Sequence, residues 1–337
     1  MPSVLGLDLG AYSFRAVEVD KSKKGNILLK SGAYENPKIN DDKAYSEALK
    51  SFVAESGFGT SKTITALEEK DVFMRVIDLP EMSDKELKTS IMFEAEQYIP
   101  LRLDEVNFSY QKLDKTVAEK GKISVQLVAA RKTLLEKYIQ IIKSAHLTPL
   151  ALEPEALSIA RALSNKKSDP TASLILHMGH TKSLIIITYK ESVVFVRTLS
   201  VGGISFTRAI EQSLGLEASQ AEEYKKAYGL DKEQAEGKIY EVLQPVFKNI
   251  LSEVRRAQVF FTSRHTNVTI NKVTLSGGSA LMPGLLLYMA NNLDLEVELA
   301  NPFRNLIFSK ELESKKEWYV EQGPLFSVSV GLSLKDL

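Results

Sequence analysis

The chemistry-bearing residues of this chain gather at three glycine-containing turns. The first, Asp8-Leu9-Gly10-Ala11-Tyr12-Ser13, joins the apolar runs Val4–Gly10 and Phe14–Val19. The second, His177-Met178-Gly179-His180-Thr181, joins Leu174–Met178 to Leu184–Tyr189. The third, Gly277-Gly278-Ser279, follows the expected strand Val273–Ser276 and precedes Pro283. A glycine turn lets backbone N–H groups approach a phosphate, because no Cβ blocks the way and convergent amides hold anions. A carboxylate just before it, here Asp8, can hold a hydrated Mg²⁺ beside the phosphates, and Ser13 can add a hydroxyl. Asp-x-Gly alone is more often an ordinary hairpin turn, and Gly-Gly an ordinary strand-to-helix turn. Order and repetition carry the reading.

The elements that must position these turns repeat. Aligning Asp8 with His177 also aligns Gly10 with Gly179, half the chain away, and a further strand follows each hairpin, at 26–31 and 193–200. A repeat at that period predicts two related lobes with a cleft between them. An amphipathic stretch over 42–55 and strands over 63–67 and 72–79 complete the first lobe. Ser83 and Glu86 form a capping box for a helix carrying Leu87, Ile91, Ala95 and Tyr98 at helical spacing, stopped by Pro100. Strands over 106–113 and 123–130 surround a polar tip at 117–121, and Thr133 with Glu136 opens a second capped helix. Residues 81–151 thus read as an insertion in the first lobe. The first-lobe core is 1–80 and 152–170, with a polar linker at 165–170. The second-lobe core is 171–210 and 265–337, and its smaller subdomain is 211–264. There a long apolar stripe runs from Ile239 to Thr262, which Pro245 is expected to kink or divide. Phe326–Leu334 reads as a short helix packed on the body.

Composition narrows the classes. At 337 residues and roughly 150 per domain, the chain makes about two domains. Lys+Arg and Asp+Glu both number 43, so no basic excess points to nucleic acid. Cysteine is absent, which excludes disulfides and Cys-ligated zinc. The longest aliphatic run, Leu184–Ile187, is too short to span a bilayer, and the first ten residues lack a basic n-region. The expectation is a soluble, unsecreted protein.

The ordered set of hairpin, repeated hairpin and strand–Gly-Gly–helix resembles the actin-like ATPase superfamily. Within it, Phe93-Glu-Ala-Glu-Gln-Tyr-Ile-Pro100 followed by Leu103-Asp-Glu-Val106 resembles the type IV pilus assembly protein PilM family. Further matching features are Ala129-Ala-Arg131, Ala221-Glu-Glu-Tyr-Lys225 before Tyr228-Gly229, Leu275–Leu281, Asn301-Pro-Phe303 and Gly331–Leu334. The resemblance spans residues 3–335. It implies an α/β, two-lobed actin-like (ribonuclease H-like, duplicated) fold, with an inserted subdomain placed as in the cell-division protein FtsA. It further implies a cytoplasmic ATP-binding adaptor. Its partner would be the N-terminal cytoplasmic tail of PilN, a bitopic inner-membrane protein, beside other pilus assembly proteins, and the chain would reach the membrane only through that partner. By position, Asp8, Gly10, Ala11, Tyr12 and Ser13 would contact phosphates, with Asp8 on Mg²⁺ through water. Gly179, His180 and Thr181 would form the second turn. Glu222 and Lys225 would lie near the nucleoside with Gly277, Gly278 and Ser279.

This chain departs from the family at His177, where an aspartate is usual. A neutral imidazole is a poor Mg²⁺ ligand and a protonated one repels the metal, so the expectation is that ATP binds while hydrolysis is slow or absent. His177 and His180, lacking a third ligand, read as polar turn residues rather than a metal site. Glu94, Glu96 and Gln97 read as the solvated face of their helix. Phe93, Tyr98 and Ile99 read first as subdomain core, and with Glu96 they are the candidate partner contacts. Lys21, Lys23 and Lys24 mark a solvated hairpin tip, and Trp318 has no assigned role. Two rivals stand beside the adaptor: an ATPase or small-molecule kinase of the same fold, and an FtsA-like self-polymerising scaffold. Against a membrane-tethered version of the latter, the sequence ends at Leu337 with no anchor helix of its own. Homodimer formation is left open.

Overall fold

The structure is a computed structural model that describes residues 3–23, 25–35, 42–115, 117–118, 120–166 and 168–336. Lys24 of the expected hairpin tip, Glu119 of the insertion's tip, Lys167 of the linker and Leu337 lie outside them. The first lobe opens with a meander of β1 (Val4–Leu9), β2 (Ser13–Ser22) and β3 (Gly25–Glu35). It continues through α1 (Asp42–Ser56) to β4 (Lys62–Leu67). The insertion comprises β5 (Val72–Pro80), α2 (Asp84–Tyr98), β6 (Val106–Lys112), β7 (Lys122–Arg131) and α3 (Lys132–Ser144). The chain returns through β8 (Thr148–Pro154) and α4 (Glu155–Leu163). The second lobe repeats the meander as β9 (Ala172–Met178), β10 (Ser183–Tyr189) and β11 (Ser192–Leu199). It then carries α5 (Gly203–Leu214), α6 (Ala218–Tyr228), α7 (Lys238–Arg264), β12 (Ile270–Ser276), α8 (Leu285–Asn292) and β13 (Glu296–Leu299). Last come β14 (Ile307–Phe308), α9 (Lys316–Glu321) and α10 (Ser327–Ser333).

The strand orders show the duplication directly. The first sheet runs β14-β3-β2-β1-β4-β8 and the second β11-β10-β9-β12-β13. In each, an antiparallel meander is followed by a strand parallel to its first member, β4 beside β1 and β12 beside β9. The buried central strands read as near-continuous apolar runs: Leu5, Leu7, Leu174 and Leu176 have no solvent exposure.

Between the sheets lie α4 and α10, which share one core with Val17, Ile64, Ile175 and Ile186. Here the structure corrects the expected boundaries. The tail, assigned from sequence to the second lobe, crosses back. β14 pairs with β3, and α10 packs on β1 and α4. Gly331 makes this possible, since a Cβ there would fall 1.8 Å from Ser158 O, and one on Gly6 would fall 2.0 Å from Ser329 O. Two serines of α10 are buried without distant partners, because Ser329 and Ser333 donate to carbonyls of their own helix turn.

The insertion also begins earlier than residue 81, because β5 is a strand of its sheet, ordered β5-β7-β6. The capping box of Ser83 and Glu86 forms as expected. Thr133 caps nothing: β7 runs straight into α3, with an extended Arg131 at the N-cap position and no side-chain cap. Nor does Pro245 divide its helix. α7 is continuous over 27 residues, since the buried stripe of Ile239, Leu243, Phe247, Ile250 and Val254 outweighs one missing backbone bond. Among the described residues, no helix is long and apolar enough to cross a membrane.

Candidate functional site

The two hairpin turns are built alike and face each other across the interlobe cleft. Gly10 N–H donates to Ser13 O at 3.1 Å, and Gly179 N–H donates to Lys182 O at 2.9 Å. Each is a tight turn at the end of the lobe's central strand, which carries Asp8 in one lobe and His177 in the other. The Tyr12 and His180 rings stack across the gap with centroids 4.6 Å apart. The third loop is held by Gly277, whose φ of +83° leaves its N–H donating to Pro324 O at 2.9 Å. A Cβ at Gly277 would lie 2.4 Å from Met178 O, so only glycine lets this loop pass the second hairpin.

Together these turns wall a cleft of ≈ 420 Å³. Every nucleotide-contacting residue expected from sequence lines it: Asp8, Gly10, Ala11, Tyr12, Ser13, Gly179, His180, Thr181, Glu222, Lys225, Gly277, Gly278 and Ser279. Glu222 and Lys225 pair at 2.6 Å, the lysine buried and the glutamate half-buried. Lys225 also donates to Gly203 O at 3.1 Å and Thr207 Oγ1 at 3.0 Å, tying α6 to the start of α5. Burial lowers the pKa of Lys225 against the pull of Glu222. Burial works to raise that of Glu222, but hydrogen bonds from Lys225 and Thr207 hold it below the usual carboxylate value.

The cleft floor contains residues that sequence reading missed. Arg15 faces Asp8 across the first hairpin and donates to Ser13 Oγ at 2.6 Å. Lys182 reaches from the second lobe to Glu155 at 2.6 Å and Glu68 at 3.5 Å, both in the first lobe. Burial pushes Asp8 up to about 7, against the attraction of Arg15 and with Glu155 adding to the rise. Burial, then Lys182 and Arg15, push His177 down to about 3, so its ring is neutral at physiological pH. Arg15 was within reach of hairpin register: the four residues Gly10 to Ser13 between the paired Leu9 and Phe14 set it opposite Asp8. Glu68 and Glu155 arrive from the ends of β4 and β8, which no local pattern relates to the hairpins.

Among the described residues, no cluster of three or more His, Cys, Asp or Glu side chains can hold a metal by itself. A hydrated Mg²⁺ asks less of the protein, one carboxylate plus the phosphates of a nucleotide, and Asp8 in the cleft wall fits that demand.

The candidate partner residues separate. Phe93 is 71% exposed and Glu96 is also exposed on α2, so Phe93 is not the core residue that its apolar character suggested. Ile99 is 4% exposed and packs inside the insertion with Leu87, Ile91 and Val106, which removes it as a contact. Tyr98 is half-buried beneath the Arg75 guanidinium, 5.2 Å from its ring. Arg75 in turn lines a second cavity of ≈ 630 Å³ between the insertion and the second lobe. Its walls include Met74, Val76, Phe195, Phe260 and Arg264, and Gln126 bridges it by donating to Val193 O at 3.1 Å.

Comparison with known proteins agrees with this architecture. Residues 6–337 match the family described as type IV pilus assembly protein PilM. The chain belongs to that family. A solved structure titled PilM-PilN type IV pilus biogenesis complex superposes with a TM-score of 0.82 at 26% identity, over 98% of this chain and 97% of that one. The ethanolamine utilization protein EutJ of Carboxydothermus hydrogenoformans gives 0.59 at 14% identity, over 99% and 90% of the two chains. MreB5 of Spiroplasma citri, bound to ADP, gives 0.58 at 14%, over 98% and 95%. The latter two likenesses are of fold alone. The PilM-family chain is thus an actin-like protein, two duplicated lobes with an inserted subdomain, and the cleft described above lies between the lobes.

Proposed function

We propose that this PilM-family chain is an ATP-binding adaptor of the pilus assembly platform, docking the N-terminal tail of PilN at the cytoplasmic face of the inner membrane. The observation that carries the partner is the whole-length likeness to the chain solved in a PilM-PilN complex. Nucleotide binding is supported by two glycine turns and a Gly-Gly loop converging on one cleft, in a fold whose MreB5 member carries ADP. In this reading the turn amides hold the polyphosphate, and Asp8 accepts hydrogen bonds from water on Mg²⁺. The metal supplies charge neutralisation. Turnover is slow because His177 offers no negative charge; His177→Asp is expected to raise ATP hydrolysis measured by phosphate release, and equal rates would count against this.

The tail's berth in this reading is the cavity between β5 and β11. Both are edge strands of their sheets, and walls that mix apolar side chains such as Phe195 and Phe260 with Arg75, Asp78 and Arg264 suit an extended segment that orders on docking. Titration calorimetry of the full chain with a synthetic PilN tail peptide should give a Kd on the order of micromolar. Phe260→Asp, in the wall of that berth, should weaken binding by about tenfold or more. No binding by the wild type would overturn the adaptor reading, and full binding by Phe260→Asp would move the berth elsewhere.

A further inference from the structure

The nitrogen that His177 turns away from the cleft decides what its other nitrogen can do. Nδ1 lies 3.0 Å from Ser276 Oγ, which lies 2.8 Å from Ser327 Oγ, which lies 3.3 Å from the carbonyl of Pro324. Both serines have no solvent exposure, so their protons must be placed within this chain of groups. The Pro324 carbonyl can only accept. If Ser327 donates to it, Ser276 must donate to Ser327, and Ser276 then accepts from a protonated Nδ1. This order makes all three bonds. In the reverse order Ser327 donates to Ser276 and Ser276 to a bare Nδ1, so the bond from Ser327 to Pro324 O is lost and that carbonyl keeps only the Gly277 N–H. A buried chain of donors and acceptors settles in the arrangement that leaves fewest unmade.

We propose that this relay fixes the Nδ1–H tautomer and so makes His177 a neutral hydrogen-bond acceptor, its Nε2 lone pair turned to the phosphate end of the cleft. The role rests on the nucleotide reading of that cleft. A lone pair cannot bond a phosphate oxygen, which is itself an acceptor, so the two meet only through a donor such as water. The ring holds that water. Burial beside Lys182 and Arg15 leaves the ring too weakly basic to take the water's proton. The nucleotide is retained with its water oriented and unreacted. Ser276 and Ser327 are positioning residues, acting through the ring. The relay also crosses the molecule: His177 and Ser276 belong to the second-lobe sheet, whereas Ser327 begins α10, which packs on β1 and α4. The proton order at the cleft therefore depends on how α10 is docked.

The chain has four histidines, so ¹⁵N-histidine NMR of the full protein without nucleotide resolves His177, with His177→Gln assigning it. The wild type should show Nδ1 protonated and Nε2 bare, unchanged from pH 6 to 8. Ser327→Ala, outside the cleft, removes the acceptor for Ser276. That hydroxyl should then donate to Nδ1 and convert the ring to the Nε2–H form. Nε2–H can donate to a terminal phosphate, so ATP should bind about tenfold tighter, with ADP changed much less. A wild-type Nε2–H tautomer overturns the relay, and that spectrum decides the matter even if Ser327→Ala fails to fold. An unchanged tautomer in a folded Ser327→Ala overturns it as well. A tautomer switch with no change in ATP-over-ADP preference overturns the positioning role. A wild type that binds no ATP overturns the nucleotide reading and the role with it, while the proton order stands on its own measurement.

Discussion

Asp8 shows how one carboxyl is tuned by its place in a hairpin. Burial at the cleft wall disfavours its charge more than Arg15 restores it, and its pKa rises from 3.8 to about 7. Because the folded state binds this proton more tightly than the unfolded chain, the group's contribution to stability is greatest below about pH 4. It declines as the pH rises towards 7 and is then flat. Asp8→Asn should therefore raise stability by on the order of 2 kcal/mol at pH 8 and leave it nearly unchanged at pH 4, measured by urea unfolding. The same variant should lose most of the Mg²⁺ dependence of ATP binding, because it removes the one carboxylate on the phosphate hairpins. The residue type and the turn were legible in the sequence; the raised pKa was not. It depends on burial in the interlobe cleft and on Glu155 and Glu68 nearby, which outweigh the opposing pull of Arg15 and Lys182.

Helix ends show where local spacing suffices and where it does not. Ser83 and Glu86 stand three apart and close a capping box. Thr133 and Glu136 stand three apart and do not, because Arg131 enters α3 directly from β7 in extended conformation. Ser83→Ala should cost about 1 kcal/mol, confined to the insertion, with cleft binding unchanged. Hydrogen exchange localised to α2 would verify this. Gly331→Ala should be far worse, about 3 kcal/mol or more, because its Cβ would meet the backbone of α4 at 1.8 Å. Loss of soluble protein, or a transition midpoint many degrees lower, is the expected outcome. A lone glycine in Ser-Val-Gly-Leu-Ser carries no sign of such a contact. The approaching backbone, Ser158, lies half the chain away.

At the scale of the molecule, the lobes are held by α4 and α10 between the sheets, by the Tyr12–His180 stack and by Lys182 on Glu155. Lys182 is largely buried, so replacing it by methionine strands Glu155 in the closed cleft without the cation 2.6 Å from it and leaves Glu68 only Lys70. Lys182→Met should shift the nucleotide-free protein towards an open form, read as a larger radius of gyration by X-ray scattering and reversed by ATP. An unchanged radius would show that the stack and the helices suffice to hold closure. The half-chain repeat, both hairpins, the Gly-Gly loop and the insertion were determined by local pattern: strand-length apolar runs, turn glycines and one capping box act over a few residues and read directly. The return of the tail to the first lobe, the charges on the cleft floor, the burial of Ile99 against the exposure of Phe93, and the serine relay behind His177 were decided only in the tertiary structure. Each depends on groups far apart in the chain meeting at one place, and a single sequence carries no distance between them.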